Sequence, residues 1–129
     1  MRETYVDSAY RPYKAAVAAD LLGKEGYVVE QVAGAETIQL YTNGIPLGVL
    51  HSRLEGQDVW TVRLIGKGGT LKCVAGGAIN SPAYVKPANG GKVVAAASGN
   101  LSIGVKTSPV VAAADGDVIE VVDNLVTMP

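Results

Sequence analysis

Alternation of apolar and polar residues predicts short β-strands along most of the chain. It is clearest in the segment VWTVRLI at positions 59–65, where Trp60, Val62 and Leu64 form one wholly apolar face. Successive side chains of a strand point to opposite faces, so these three residues are predicted to lie in the core. Trp60 is therefore expected inside the protein rather than in an interface with a partner.

Further strand-like segments follow at short intervals and are separated by turn-forming residues. The pair Asn43-Gly44 is typical of a tight β-hairpin turn, and the run 66–69 predicts another tight turn. Pro46 indicates a strand at a sheet edge, or the first residue of a strand. Besides 59–65, the predicted strands are 27–32, 37–41, 45–50, 70–74, 84–86, 92–97, 101–106 and 117–122.

The first thirteen residues, MRETYVDSAYRPY, have neither a helical nor a strand period. Their tyrosines and arginines favour an ordered N-terminal contact arm at 1–13, because both residue types are enriched in protein interfaces. A frayed terminus is the alternative. The residues predicted to make the contacts are Arg2, Tyr5, Tyr10, Arg11 and Tyr13.

Residues 14–22, KAAVAADLL, are compatible with two structures. The alanines favour a short helix that ends at Gly23. So short a helix is of marginal stability on its own, however. An apolar strand that enters a barrel fits the same residues, and both alternatives stand.

Three short matches in the same order indicate an internal repeat. Gly48 and Gly104 fall at the same place in both copies, and both are expected where a strand bends and approaches another backbone closely. Two small β units that pack together bury faces that neither unit buries alone. We therefore predict a single β domain at 14–129 with related units at 26–70 and 83–122. The matched residues are Tyr27-Val28 with Tyr84-Val85, Leu47–Val49 with Ile103–Val105, and Asp58–Val62 with Asp117–Val121.

Composition narrows the classes of function. Hydrophobic residues make up 48% of the chain and phenylalanine is absent, so the core must be largely aliphatic. A net charge of −1 provides no basic surface for nucleic acid. No apolar run is long enough to span a membrane, and a single cysteine rules out an internal disulfide.

Candidate chemistry is sparse, and we expect neither an enzyme nor a metal or cofactor site. His51 is the one histidine, and no third residue is placed to orient it as a general base for Cys73. A histidine at a strand end and a small buried cysteine fit the pattern better. The run GKGG at 66–69 lacks the rest of a phosphate-binding motif. Asp58 and Asp117 each precede a strand, where aspartate suits a turn better than a catalytic pair.

The segment 62–122 resembles a family of tailed-phage capsid decoration proteins, also called head-stabilisation or cement proteins. The resemblance implies a compact β-barrel or β-tulip domain that forms a homotrimer. It further implies binding to the outer surface of an expanded capsid, where the trimer bridges subunits of the major capsid protein, and an N-terminal arm on the shell. The motifs that carry it are Ala75–Ile79, Tyr84-Val85, Gly90–Val94, Ile103–Val105 and Gly116–Val121.

On this reading the chain is a structural protein of the virion surface, assembled in the host bacterial cytoplasm. Its partners are the major capsid protein and copies of itself, with no nucleic acid and no membrane. The alternative is a capsid-surface or tail module that binds host glycans or receptors, which needs an exposed aromatic platform. Aromatic residues make up 5% of the chain, and three of the seven lie in the predicted arm. A small barrel enzyme of the cupin kind would need several metal ligands, which a single histidine disfavours.

Overall fold

The computed structural model describes residues 9–54, 58–108 and 112–128. It is mainly β, which confirms the predicted fold class. The elements in chain order are β1 (Tyr10–Ala15), α1 (Ala18–Leu21), β2 (Val28–Gln31), β3 (Thr37–Leu40), β4 (Pro46–Arg53), β5 (Val59–Leu64), β6 (Thr70–Val74), β7 (Ile79–Asn80), β8 (Ala83–Pro87), β9 (Val93–Ala95), β10 (Leu101–Ser108), β11 (Ala112–Ala113) and β12 (Val118–Thr127).

The segment 14–22 contains both of the structures that its sequence allows. Lys14 and Ala15 end β1. Residues 18–21 form a single helical turn, and its Leu21 is fully buried among apolar residues that include Trp60. Among the residues that the structure describes, no helix is long and apolar enough to cross a membrane.

Two five-stranded sheets with the same strand order make up most of the fold, and β7 and β11 form a separate two-stranded sheet. The first is a closed barrel in the order β1-β3-β2-β4-β5, in which β1 pairs with β5 antiparallel and with β3 in parallel. The second has the order β6-β12-β10-β8-β9. A parallel bridge between Ala75 and Val93 brings its two ends together, as β1 and β3 meet in the barrel. We call β1–β5 the first unit and β6–β12 the second unit.

Pairing within each sheet fixes which residues of the two units correspond. Gly48 lies opposite Val29 in the first unit, and Gly104 lies opposite Val85 in the second. Val29 thus corresponds to Val85, one residue later than the sequence match of Val28 with Val85. That match was wrong at this strand because a tyrosine precedes a valine in both copies, and a slip of one residue exchanges the two faces of a strand.

Gly48 and Gly104 occupy the same crowded position in their units, as predicted. A methyl group added at Gly48 would lie 2.3 Å from the carbonyl oxygen of Arg63 and 2.7 Å from Val62 Cγ1. At Gly104 the same distances are 2.1 Å to the oxygen of Val122 and 2.6 Å to Val121 Cγ1. Both positions therefore require glycine for steric reasons.

The segment 41–45 does not form the predicted hairpin turn at Asn43-Gly44. β3 and β4 are not neighbours, because β2 lies between them and pairs with both. The connection crosses over β2 and is bound by Glu30 of that strand. The Glu30 carboxylate accepts hydrogen bonds from the backbone N–H groups of Thr42 and Gly44, both at 3.0 Å. The Thr42 hydroxyl and the Gln39 amide also donate to Glu30, each at 2.8 Å.

This network sets the protonation of Glu30, which is 6% exposed. Burial alone would raise its pKa. The hydrogen bonds from Thr42, Gln39 and Gly44 outweigh burial, so the pKa is lowered from its ordinary value. The ionised carboxylate is thus the form that the connection requires.

Two apolar clusters form the core. The first lies inside the barrel, and the second fills the second unit. Trp60 and Val62 are fully buried in the first cluster and Leu64 packs against it, which confirms the predicted core face of β5. Val28 and Val49 belong to strands of the first unit but lie in the second cluster, so they point out of the barrel and join the two units.

Replacement of Gly48 or Gly104 by alanine is expected to lower the free energy of unfolding by about 1–3 kcal/mol, because a neighbouring backbone must move. Urea denaturation measures the effect. Gly77→Ala is the matched control, since a methyl group there meets nothing within 4 Å. Equal effects at all three positions would show that close backbone approach is not the cause.

Trp60→Ala is expected to destabilise the protein by about 3–5 kcal/mol through loss of packing inside the barrel. Val118→Ala, at a 48% exposed position of β12, is the control and should change stability by less than about 0.5 kcal/mol. A near-neutral Trp60 variant in urea denaturation would contradict its place in the core.

Glu30→Gln is expected to lower the free energy of unfolding by about 1–3 kcal/mol at neutral pH, because an amide N–H₂ replaces an oxygen that accepts hydrogen bonds. Folding lowers the pKa of Glu30, so its contribution is present above the ordinary value of 4.5 and is lost as pH falls through the folded pKa.

The difference in urea midpoint between the native protein and Glu30→Gln should accordingly shrink on acidification. Glu36→Gln, at an exposed position of the β2–β3 turn, should differ little from the native protein throughout. A Glu30→Gln difference that is independent of pH would contradict the role of the ionised form.

Candidate functional site

The predicted contact residues fall into two groups. Arg2 and Tyr5 lie outside the described residues. Tyr10, Arg11 and Tyr13 lie in β1, where they pair with Arg63, Val62 and Trp60 of β5. Residues 10–13 are thus a strand of the barrel, and an arm is restricted to the residues before them.

The sequence of β1 hides its strand character because Pro12 interrupts it. The carbonyl oxygen of Ala9 accepts a hydrogen bond from the N–H of Leu64, and the N–H of Ala15 donates one to the carbonyl oxygen of Asp58. The backbone N–H and C=O groups of the odd-numbered residues of β1 therefore point toward β5. The backbone nitrogen of Pro12 points to the opposite side of the strand, where β1 pairs with β3 only from Lys14 onward. Proline is tolerated there because no neighbouring strand accepts a hydrogen bond at that position.

Tyr10, Arg11 and Tyr13 of β1 differ in their exposure to solvent. The Tyr10 side chain is 45% exposed, and its ring meets the His51 ring edge to face with centroids 4.9 Å apart. Arg11 is exposed, whereas Tyr13 is half-buried and packs against the barrel core. Of the predicted contact residues within the described part of the chain, Tyr10 and Arg11 are those that a partner can reach.

A cleft of about 560 Å³ separates the outer face of the barrel from β6 and β12. Buried apolar side chains such as Val49 and Leu71 line it. Polar and aromatic residues line the rest, and their charges are of both signs, so the cleft does not favour a polyanion. These residues include Tyr10, Glu25, His51, Lys72 and Glu120.

The segment 66–69 is the link between the two units rather than a hairpin turn, because β5 and β6 belong to different sheets. The backbone N–H groups of Gly66, Lys67 and Gly68 all donate to the Asp123 carboxylate, at 2.9, 2.9 and 3.0 Å. Arg63 Nη1 lies 3.6 Å from the same carboxylate, whose side chain is fully buried. Successive N–H groups form an anion-binding concavity, and here the chain's own aspartate fills it.

Sequence reasoning missed Asp123 and Glu30, the two carboxylates that organise connections. Asp123 was open to detection, since it interrupts the apolar run that continues β12 to Thr127. Its first-unit counterpart is Leu64, because Gly48 pairs with Leu64 as Gly104 pairs with Asp123. The hydrogen-bond donors of Glu30 could not be predicted from the sequence, because they depend on the crossing of the 41–45 connection over β2.

The nucleophile candidates do not come together. Cys73 is fully buried inside the second unit. Burial, and then the negative charge of Asp123, raise the pKa of its thiol to about 12. His51 lies on the exposed side of β4, two residues before its end rather than at the end as predicted. The described residues include no group of three or more histidine, cysteine, aspartate or glutamate side chains that could hold a metal ion.

Comparison with known proteins finds a likeness among solved structures. No family model matches the sequence, and no curated protein matches it. Among solved structures, the chain is similar to the head fiber gp8.5 N base of bacteriophage phi29, with a TM-score of 0.62 and 16% sequence identity. The match covers 89% of this chain and 92% of that chain, so it includes most of both units. At this identity the likeness shows a shared fold.

Asp123→Ala is expected to lower the free energy of unfolding by about 2–4 kcal/mol, because three N–H groups and Arg63 lose a buried charged acceptor. Hydrogen exchange at Gly66–Gly68 should accelerate. Asp115→Ala is the control, because Asp115 forms a solvent-exposed ion pair with Lys92 at 3.1 Å, and such a pair contributes little to stability. Equal losses in the two variants would contradict the anchoring of the link by Asp123.

Proposed function

We propose that the chain is a structural virion protein that binds the outer surface of an expanded phage capsid and stabilises it by bridging major capsid protein subunits. The observation that carries the proposal is the likeness of fold to the base of a phage head fiber, which extends over nearly the whole of both chains. The resemblance of segment 62–122 to decoration proteins supports it independently.

The mechanism follows from mass action. A protein that binds the assembled shell, and not its free subunits, stabilises the shell by its binding free energy. Contacts repeated over a homotrimer and over the shell lattice would add avidity, so no single contact needs to be strong. This role requires a rigid body with accessible contact residues and no catalytic group or cofactor.

The exposed start of β1 is the proposed contact region. Tyr10 lines the cleft, and Arg11 is exposed on the opposite face of the strand. Tyrosine provides a large contact area with a polar end, and arginine pairs with acidic groups of a partner. The segment 1–8 would extend this contact over the shell, and addition of a strand to a shell protein is one such mode.

Cosedimentation with expanded, undecorated capsids tests the proposal, with procapsids as the control. We expect saturable binding to expanded shells at a fixed ratio to the shell protein. Absence of binding to both shells would contradict the proposal and favour the glycan- or receptor-binding alternative.

Variants locate the contact. Deletion of 1–8 and the substitution Arg11→Glu are each expected to weaken binding at least about tenfold, a loss of about 1.4 kcal/mol. Lys86→Glu, which makes the same charge change on β8 of the second unit and outside the cleft, should bind like the native protein. Deletion of 1–13 is unsuitable, because it removes most of β1 and opens the barrel.

A further inference from the structure

A pocket of about 350 Å³ lies where β4 ends at one mouth of the first barrel. The α1–β2 connection and the end of β4 form its walls, and Trp60 of β5 is its one buried lining residue. The mouth of a barrel is a frequent place for small ligands, and sites of about 300–1,000 Å³ are usual for them. The side chains that line the pocket belong to Leu22, Glu25, His51, Ser52, Arg53 and Trp60.

The indole N–H of Trp60 is a donor without an acceptor. Its nitrogen is buried, and no described residue accepts a hydrogen bond from it. The rest of the ring packs in the apolar core of the barrel with Leu50 and Val62. Buried donors in native proteins almost always have a partner, so an unpaired one needs an explanation. Because Trp60 lines the pocket, an oxygen atom that enters there can accept from this N–H.

Arg53 lies over the same indole. Arg53 and Trp60 are opposite each other on β4 and β5, and such partners project from the same face of a sheet. Arg53 Cζ is 5.4 Å from the centroid of the Trp60 ring, within the range of cation–π attraction. The guanidinium therefore adds further N–H donors beside the indole. Arg53 is exposed, so its long side chain can move to admit a ligand.

The other residues of the pocket supply acceptors and an apolar surface. Glu25 is exposed, and its carboxylate accepts hydrogen bonds only. His51 Nδ1 and Ser52 Oγ are 3.2 Å apart, and both side chains can donate and accept. Leu22 is 52% exposed and presents an aliphatic side chain. Since Glu25 and Arg53 carry opposite charges, the pocket favours neither an anion nor a cation.

We propose that this pocket binds one pyranose ring of a carbohydrate. A sugar hydroxyl both donates and accepts, which matches a lining of donors and acceptors without net charge. The Trp60 N–H and the Arg53 guanidinium donate to hydroxyl oxygens, and Glu25 accepts from hydroxyl groups. The C–H face of the ring packs against Leu22. Trp60 contributes its N–H rather than an exposed ring face, so the site does not need the aromatic platform that stacking on a sugar requires.

Sugar binding goes beyond the proposed attachment to a capsid and uses other residues. Arg11, the proposed capsid contact, does not line the pocket. The sugar assay uses the purified chain without shells, whereas the capsid assay uses shells without sugar. Failure of either proposal therefore leaves the other standing.

Nuclear magnetic resonance of the native chain tests the site directly. Trp60 is the single tryptophan, so its indole N–H gives one signal in a ¹H–¹⁵N spectrum. The probes are the methyl pyranosides of glucose, galactose, mannose and N-acetylglucosamine. We expect at least one of them to move this signal in a saturable manner, with a dissociation constant of about 1 mM. Glycerol and acetate, a small polyol and a small anion, are the controls and should leave the signal unchanged.

Variants assign the binding to the pocket. Trp60→Phe removes the N–H and keeps an aromatic ring, and Arg53→Gln removes the guanidinium. Each is expected to weaken binding of the selected pyranoside at least about tenfold, because donors to its hydroxyl groups are lost. Lys86→Gln is the control, since it removes a positive charge on β8 outside the pocket and should bind like the native chain.

Saturation-transfer signals of the sugar report binding to Trp60→Phe, which lacks the indole, and circular dichroism checks that each variant is folded. Arg53→Gln keeps the indole signal, so it decides the question if Trp60→Phe does not fold. The proposal would be overturned by an indole signal that no pyranoside moves, by equal shifts with glycerol or acetate, or by undiminished binding to Arg53→Gln.

Discussion

Contact between the outer face of the first barrel and the core of the second unit is the constraint on which the rest of the structure depends. Val28 and Val49 leave the barrel in which their strands pair and complete the second apolar cluster. The close approach at Gly91 and the anchoring of the 66–69 link by Asp123 hold the units in this arrangement. Neither unit would bury these surfaces alone, so the chain folds as one body with two related halves.

Local sequence patterns explain why many of the strands could be predicted from the sequence. The predicted strands from 27–32 onward all occur, because tight turns and alternating residues mark them locally. The order of strands was not accessible, since β1 closes the barrel through main-chain hydrogen bonds and its YRPY sequence does not alternate. The same limit applies to 41–45, which looks like a hairpin turn and yet passes over a strand.

Of the predicted contact residues that the structure describes, Tyr10 and Arg11 are exposed, whereas Tyr13 contributes to the barrel core. Sequence composition identified residues suited to an interface but could not distinguish those that also close a barrel. Both buried carboxylates serve the fold: Glu30 holds a connection and Asp123 holds the link. The body that they stabilise exposes Tyr10 and Arg11 at the start of β1.

The central claim is that this two-unit body bridges subunits of an expanded shell. Electron cryomicroscopy of expanded capsids incubated with the protein tests it most directly. The account predicts density for both units on the outer surface, with the start of β1 in contact and at least two major capsid protein subunits touched by each bound assembly. Density that touches a single subunit, or a shell that remains bare at saturating protein, would contradict it.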